Sequence, residues 1–335
     1  MKEQLMTAEF ETYSEFLADG KRGARLTNSV GRAKMTRNRL QALILQGFGQ
    51  GRGNGYMPWI CVTRGNSPRC SNHFVAVTSI QEKPLHLMSG LEYGATRVAT
   101  WLGAKEVRTQ FPIWPWPGHP HPMSGLNPVD DKKLPETIGL LEIAYEAGIK
   151  HGCYVGAPDQ PYVATTDLVL TINAPTGSRL VFWTCKPASI LTYKGPRQNR
   201  IAERIELERR YAKAVGAAHV VYDGTHVSTK LVANLDWLEP PRQERTDANL
   251  CAVRKRFSDA YNISKATGTI EQRIEQAAVS IGIGVSSAQC HFRAAAWLGQ
   301  IDIDLSQPVL MSRPMKVGGN ALKRGLRIAL LGETA

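Results

Sequence analysis

The sequence predicts an α/β fold: a mixed sheet flanked by helices over residues 51–240, followed by a mainly helical, winged-helix-like module over 241–335. Three observations predict it. Two β-rich runs, Thr165–Ile172 and Arg179–Lys186, flank Ala-Pro-Thr-Gly-Ser at 174–178, which is turn material, so they read as an antiparallel hairpin. A charge-dense helical stretch, Asn199–Val215, then leads into the short apolar run His219–Tyr222, and strand, helix, strand is the order of a crossover onto one sheet. Finally, Thr269–Ser280 is amphipathic and meets a second helix, Ser287–Leu298, across Ile-Gly-Ile-Gly at 281–284, two helices over a short turn, which a generic protein-binding helical module would show equally.

The remaining elements follow in order. Ala8–Leu17 reads as a helix, and residues 1–50 otherwise read as a basic, Gly-containing arm. Gly47–Gly55 is a hinge by composition, and no Gly-Lys-Ser/Thr follows to make it a nucleotide loop. Tyr56–Thr63 and Phe74–Ile80 read as strands. Leu87, Leu91, Ala95, Val98 and Leu102 recur at three- and four-residue spacing, which predicts a helix over 85–102. The prolines of Phe111–Pro122 remove donors and fix φ, which excludes a regular element there. Glu136–Ile149 reads as a helix, and Pro240-Pro241 marks a domain boundary. Ile301–Leu305 alternates apolar and acidic residues, as a half-buried wing strand does.

Composition bounds the function. The chain has 335 residues, and at roughly 150 per domain that implies two domains. With 43% hydrophobic and 21% charged residues it can build a core, which excludes wholesale disorder or a fibre. No run reaches the ~18 apolar residues of a membrane span, and the N-terminus lacks a signal-peptide pattern, so a cytoplasmic protein is expected. Six scattered cysteines with no C-x-x-C fit reduced thiols, and His119 and His121 sit in a Pro-rich loop without a cluster that would hold zinc.

The net charge is +12, and its placement matters more than its size. Between Gly20 and Gln81 there are ten Lys or Arg, among them Arg32, Lys34, Arg37, Arg39 and Arg52, and no Asp or Glu. A one-sign block is a footprint for a polyanion such as nucleic acid; the plain alternative is a solvated tail.

Three charged residues stand where apolar neighbours are the rule. Asp167 interrupts the strand Thr-Thr-Asp-Leu-Val-Leu, Lys186 ends the strand Leu-Val-Phe-Trp-Thr-Cys-Lys, and Glu92 lies on the preceding helix. The hairpin brings Asp167 and Lys186 to one sheet edge. Carboxylates there suit a hard cation such as Mg²⁺, which polarises phosphate and lowers the pKa of bound water, while a lysine offsets developing charge. Glu92 has a structural reading too: Ser89-Gly-Leu-Glu92 matches a helix-start capping box.

An ordered series of segments narrows these alternatives. Gly-Arg-Gly-Asn-Gly-Tyr-Met-Pro-Trp (51–59), His-Leu-Met-Ser-Gly-Leu-Glu (86–92), Val-Arg-Thr-Gln-Phe-Pro-Ile (107–113), Glu-Ala-Gly-Ile-Lys-His (146–151), Thr-Thr-Asp-Leu-Val-Leu (165–170), Thr-Cys-Lys-Pro-Ala (184–188), Ile-Glu-Leu-Glu-Arg-Arg-Tyr (205–211) and Leu-Asp-Trp-Leu (235–238) together span 51–238. In order and spacing the chain resembles the TnsA family, the endonuclease subunits of heteromeric cut-and-paste transposases. The resemblance implies a restriction-endonuclease-like core at 51–240 and a partner-binding domain at 241–335. It implies Glu92, Asp167 and Lys186 as catalytic residues, with Glu92, Asp167 and the Cys185 carbonyl on Mg²⁺ (Mn²⁺ substituting) and Glu208 supporting a second metal. Thr184 stands where the family often has Gln, and Thr109 where an acid is common.

The resemblance also implies cutting at the 5′ ends of a transposon, alongside a TnsB-type transposase and a TnsC-type AAA+ ATPase. Arg32, Lys34, Arg37, Arg39 and Arg52 are the expected contacts to transposon-end DNA. A stand-alone restriction-like nuclease and a non-catalytic DNA-binding adaptor fit the same residues.

Overall fold

A computed structural model describes residues 11–18, 35–63, 74–155, 157–175, 177–192, 195–263 and 268–333, without the side chains of 158, 196 and 197. The described chain contains helices α1 (Tyr13–Ala18) and α2 (Arg37–Leu45), strands β1 (Phe74–Thr78) and β2 (Gln81–Leu87), α3 (Gly90–Leu102) and β3 (Glu106–Ile113). Next come α4 (Pro128–Asp131), α5 (Leu140–Glu146), β4 (Cys153–Tyr154), β5 (Ala157–Pro161), β6 (Ala164–Ala174), β7 (Gly177–Cys185), α6 (Ala188–Leu191), α7 (Pro196–Ala214) and β8 (Ala218–Tyr222). Six helices complete it: α8 (Thr229–Leu238), α9 (Arg242–Thr246), α10 (Ala248–Ile263), α11 (Ile270–Ile281), α12 (Val285–Leu298) and α13 (Gly319–Leu331). The chain divides into two compact units, one of residues up to Ala76, Lys83–Tyr93 and Glu106–Asp223, the other of Val77–Glu82, Gly94–Lys105 and residues from Gly224. No described helix is long and apolar enough to cross a membrane.

The first unit is organised by a mixed sheet of order β3-β6-β7-β8. The expected hairpin is its centre: β6 and β7 pair antiparallel, with Leu168 opposite Trp183 and Ala174 opposite Gly177. β8 joins β7 in parallel, Val181 to Ala218, as a crossover through α7 requires. Alternation along the strands sends Val169, Leu180 and Phe182 to one face, where they bury against Leu207 and Tyr211 of α7 and Ile143 of α5.

Several local expectations need correction. Phe111–Ile113 lie inside β3, not in irregular chain; β3 is an edge strand, where a proline such as Pro112 removes no ladder bond. Tyr56–Thr63 is irregular, anchored by Trp59 N–H donating to Gln110 O (3.2 Å). Residues 85–87 end β2, so the helix read over 85–102 begins at Gly90. The helix expected over 136–149 is confined to α5. Within the segment read as an arm, α2 buries Leu40, Leu43 and Ile44 with Phe16, Trp59 and Trp114. Its start is capped by Thr36, whose side chain accepts from Arg39 N–H.

In the second unit α11 starts with the capping box Thr269/Gln272 and ends on Gly282 at φ +74, a left-handed turn that lets α12 begin at Val285. The two helices expected across a short turn are therefore present. The expected wing strand is not: Ile301, Ile303 and Leu305 are buried in chain that belongs to no sheet, where Asp304 N–H donates to Lys316 O (2.8 Å). Gly319 lies so close to the Ile303 carbonyl that any Cβ would collide with it.

Candidate metal-dependent active site

The site forms where β6 and β7 separate. Leu168 opposite Trp183 is the last ladder pair, so the next register step sets Asp167 across from Thr184. Asp167 Oδ2 accepts from Cys185 N–H and from Lys186 Nζ, both at 2.7 Å. Lys186 Nζ also donates to Cys185 O at 3.0 Å. Burial works to lower the Lys186 pKa, but Asp167, with Glu208 and Cys185 behind it, outweighs burial and holds the ammonium above its ordinary range.

Glu92 reaches the site from the first turn of α3. Ser89 Oγ accepts from Glu92 N–H (3.1 Å), and the carboxylate accepts in return from Ser89 Oγ (3.0 Å) and Met88 N–H (2.9 Å). Capping and site-building thus use the same side chain. Burial first, and the charge of Asp167 second, push the Glu92 carboxyl up to about 7.

Glu208, on α7, is buried behind them. Burial and then Asp167 raise it also to about 7. Thr184 Oγ1 hydrogen-bonds Glu208 Oε2 and lies 2.8 Å from His219 Nε2. When Thr184 donates to the carboxylate, His219 donates to Thr184 from Nε2–H. Burial holds His219 down at about 4, so the ring is neutral at pH 7. Burial, with the surrounding carboxylates behind it, also raises the Cys185 thiol well above its usual value, leaving its sulfur protonated and its main-chain oxygen as the useful donor.

Gln110 was not singled out by sequence. It stands across from Asp167 in β3, between the pairs Thr109–Leu168 and Phe111–Thr166. Its Nε2 donates to Glu92 Oε2 (3.1 Å), and Thr165 Oγ1 donates to its Oε1 (3.3 Å). Its φ of 49° is the sole positive value at a described non-glycine residue, a conformation that costs an L-residue about 1–2 kcal/mol. His219 was missed as well. The only local signals are a polar run, Arg108-Thr109-Gln110, before Phe111, and one histidine inside an apolar strand.

The structure brings Glu92, Asp167, Lys186, Cys185, Thr184 and Glu208 to one site. The basic residues fare differently. Arg32 and Lys34 lie outside the described residues. Arg37 is paired with Glu11 and stacked 4.7 Å over Phe16, and Arg39 is half-buried on α2. Arg52 corrects its expectation: its guanidinium is buried against Glu106, Thr171 Oγ1 (2.7 Å) and Pro122 O (3.0 Å) rather than offered to DNA.

The donor set fits a hard divalent cation. Lys186 already places a cationic head between two of the expected oxygens, Asp167 Oδ2 and Cys185 O, and three carboxyl groups, Glu92, Asp167 and Glu208, face that one ammonium. Among the described residues no cluster of three or more His, Cys, Asp or Glu side chains is arranged as a metal site; the set here is two carboxylates and a carbonyl.

No family model matches the chain. The transposition protein TnsA of transposon Tn7 from Escherichia coli is 27% identical over 214 residues, covering 62% of this chain. The match spans 65% of that relative's own length. The resemblance carried by the ordered segments is thereby shown: in sequence this chain is similar to TnsA, a transposition protein.

Proposed function

We propose that the chain is a metal-dependent DNA endonuclease subunit of a heteromeric transposase, cutting at the 5′ ends of its transposon. One observation carries the reading. Lys186 Nζ is shared by Asp167 Oδ2 and Cys185 O, with the Glu92 carboxyl raised by burial and by the nearby charge of Asp167, on the segments that carry the resemblance.

Glu92, Asp167 and the Cys185 carbonyl would hold Mg²⁺, or Mn²⁺ in its place; such an ion polarises the scissile phosphate and lowers the pKa of a water. Lys186 is charged at neutral pH and donates toward the same point. There it orients the attacking water and offsets charge developing on the phosphate oxygens. The water oxygen bonds to phosphorus and gives up its proton to solvent, while the phosphorus–oxygen bond to the leaving strand breaks and that oxygen takes up a proton from solvent. Glu208, held by Thr184, supplies a further carboxyl for a second ion.

In this reading the sheet of the first unit is a restriction-endonuclease-like core. The C-terminal helices form a partner-binding domain that meets a TnsC-type AAA+ ATPase, while a TnsB-type transposase cuts the other strand. Phosphate contacts from Arg32, Lys34, Arg37 and Arg39 add affinity without choosing sequence, which leaves recognition of the ends to the partner. The setting is the cytoplasm.

The test is cleavage of an end-labelled transposon donor by the reconstituted assembly. Asp167→Asn and Lys186→Ala are expected to abolish 5′-strand nicking while partner binding persists. Full nicking by either variant contradicts the reading and favours an adaptor. Efficient cutting by the purified chain alone favours a stand-alone nuclease.

A further inference from the structure

We propose that Gln110 is a positioning residue that aims the Glu92 carboxylate at the side of the sheet where Asp167 stands, from a strand position held in a conformation unfavourable to its own backbone. The proposal rests on the nuclease reading above and extends it to a residue to which the reading gives no role.

The argument begins with the backbone. A left-handed φ inside a strand is uncommon for any side chain except glycine, and glycine adopts it without a Cβ penalty. Gln110 holds φ at 49° although its neighbours Thr109 and Phe111 pair regularly with β6. The twist takes Gln110 out of the ladder at the level of Asp167 and turns its carbonyl to accept from Trp59 N–H at 3.2 Å. Strained non-glycine positions collect where a side chain has a task that glycine cannot perform.

The side chain shows the task. Thr165 Oγ1 donates to Gln110 Oε1, which fixes the amide orientation and leaves the NH₂ end facing Glu92 Oε2. The bonds to Glu92 from Met88 and Ser89 come from its own helix start. The Gln110 bond ties Glu92 instead to β3, next to the strand that carries Asp167. Two acids from separate elements are thereby held in register. Supporting hydrogen bonds of this kind typically change metal affinity by about 10–100-fold when removed.

Mn²⁺ binding, thermal midpoint and 5′-strand nicking, measured on the full-length chain and its reconstituted assembly, separate a positioning role from a merely structural one. Gln110→Gly relieves the backbone and deletes the amide. It is expected to keep or raise the thermal midpoint, weaken Mn²⁺ binding at least about 10-fold, and lower kcat with KM for DNA unchanged. Thr165→Val keeps the backbone of Gln110 and releases only the amide's far end; a smaller loss in the same direction is expected. Gln110→Glu replaces the donor with an acceptor and is expected to bind Mn²⁺ more weakly than wild type. Wild-type affinity in Gln110→Gly, or affinity that falls only in step with the thermal midpoint, overturns the positioning role while leaving the nuclease reading in place. A wild-type chain that binds no Mn²⁺ overturns both.

Discussion

Around Glu106 two arginines meet one carboxylate, whereas around Asp167 three carboxyl groups meet one lysine. Both clusters lie in the first unit. In the Glu106 cluster, Arg52 and Arg108 share Glu106; both also donate to Pro122 O, and Arg52 donates to Thr171 Oγ1 as well. Burial, then the charge of Arg52, lowers Arg108 to about 10, yet it stays charged at neutral pH and lies 4.6 Å over the Phe111 ring. In the Asp167 cluster, Glu92 and Glu208 are each pushed up to about 7, because burial and Asp167 together disfavour a second and third negative charge. The difference teaches how to read buried charge. A surplus that stays charged at neutral pH against fixed protein groups is part of the scaffold, whereas a surplus that drives its own members toward neutrality asks for a ligand of the other sign.

The sharpest way to break this contrast is substitution. Asp167→Asn is expected to reduce 5′-strand nicking by about 1,000-fold or more, comparable to losing a key electrostatic contributor. Its fold should persist, as read by circular dichroism, because it removes one of three repelling acids. Arg52→Ala should do the opposite. It leaves Glu106 buried without its main cation and is expected to cost about 3–5 kcal/mol in denaturant unfolding, with nicking per folded molecule retained. Equal stability loss in both variants would erase the distinction.

Acidity sharpens it further. Glu92 and Glu208 have folded pKa values near 7, above the unfolded carboxylate range, so the folded state holds more protons between the two values. Stability of the metal-free protein is therefore expected to fall as pH rises from about 5 through about 7, and Mg²⁺ should restore it at the upper end. Thermal midpoints across that range, with and without Mg²⁺, check the sign. Glu208→Gln should flatten the profile, and a rising midpoint would contradict it.

These contrasts were unevenly legible in the sequence. The β6–β7 hairpin was readable because its β-rich strands and a Pro-Thr-Gly turn all lie within one local stretch. Asp167 and Lys186 were readable for the same reason. β3 was not, since Arg108, Thr109, Gln110 and Pro112 break any alternation and only its edge position and two-sided burial explain it. Gln110 and His219 act through register: one stands opposite Asp167, the other on a parallel strand that arrives after α7, and pairing between distant segments leaves no mark in either. Arg52 looked like its basic neighbours, and only its distant partner Glu106 separates it from them.

Smaller effects refine the account. Thr184→Val leaves Glu208 and His219 without their shared hydroxyl and is expected to cost about 1–3 kcal/mol, with a partial loss of nicking. Arg37→Ala removes a half-exposed pair with Glu11 and should change stability by no more than about 1 kcal/mol.

The central claim is that surplus negative charge around Asp167 is completed by a divalent cation. Calorimetric titration of the full-length protein with Mg²⁺ near pH 7, in two buffers of different ionisation enthalpy, tests it most directly. The account predicts saturable binding with net proton release from the raised carboxyls, and loss of both in Asp167→Asn. Absent binding, or binding that is the same in Asp167→Asn, would contradict it.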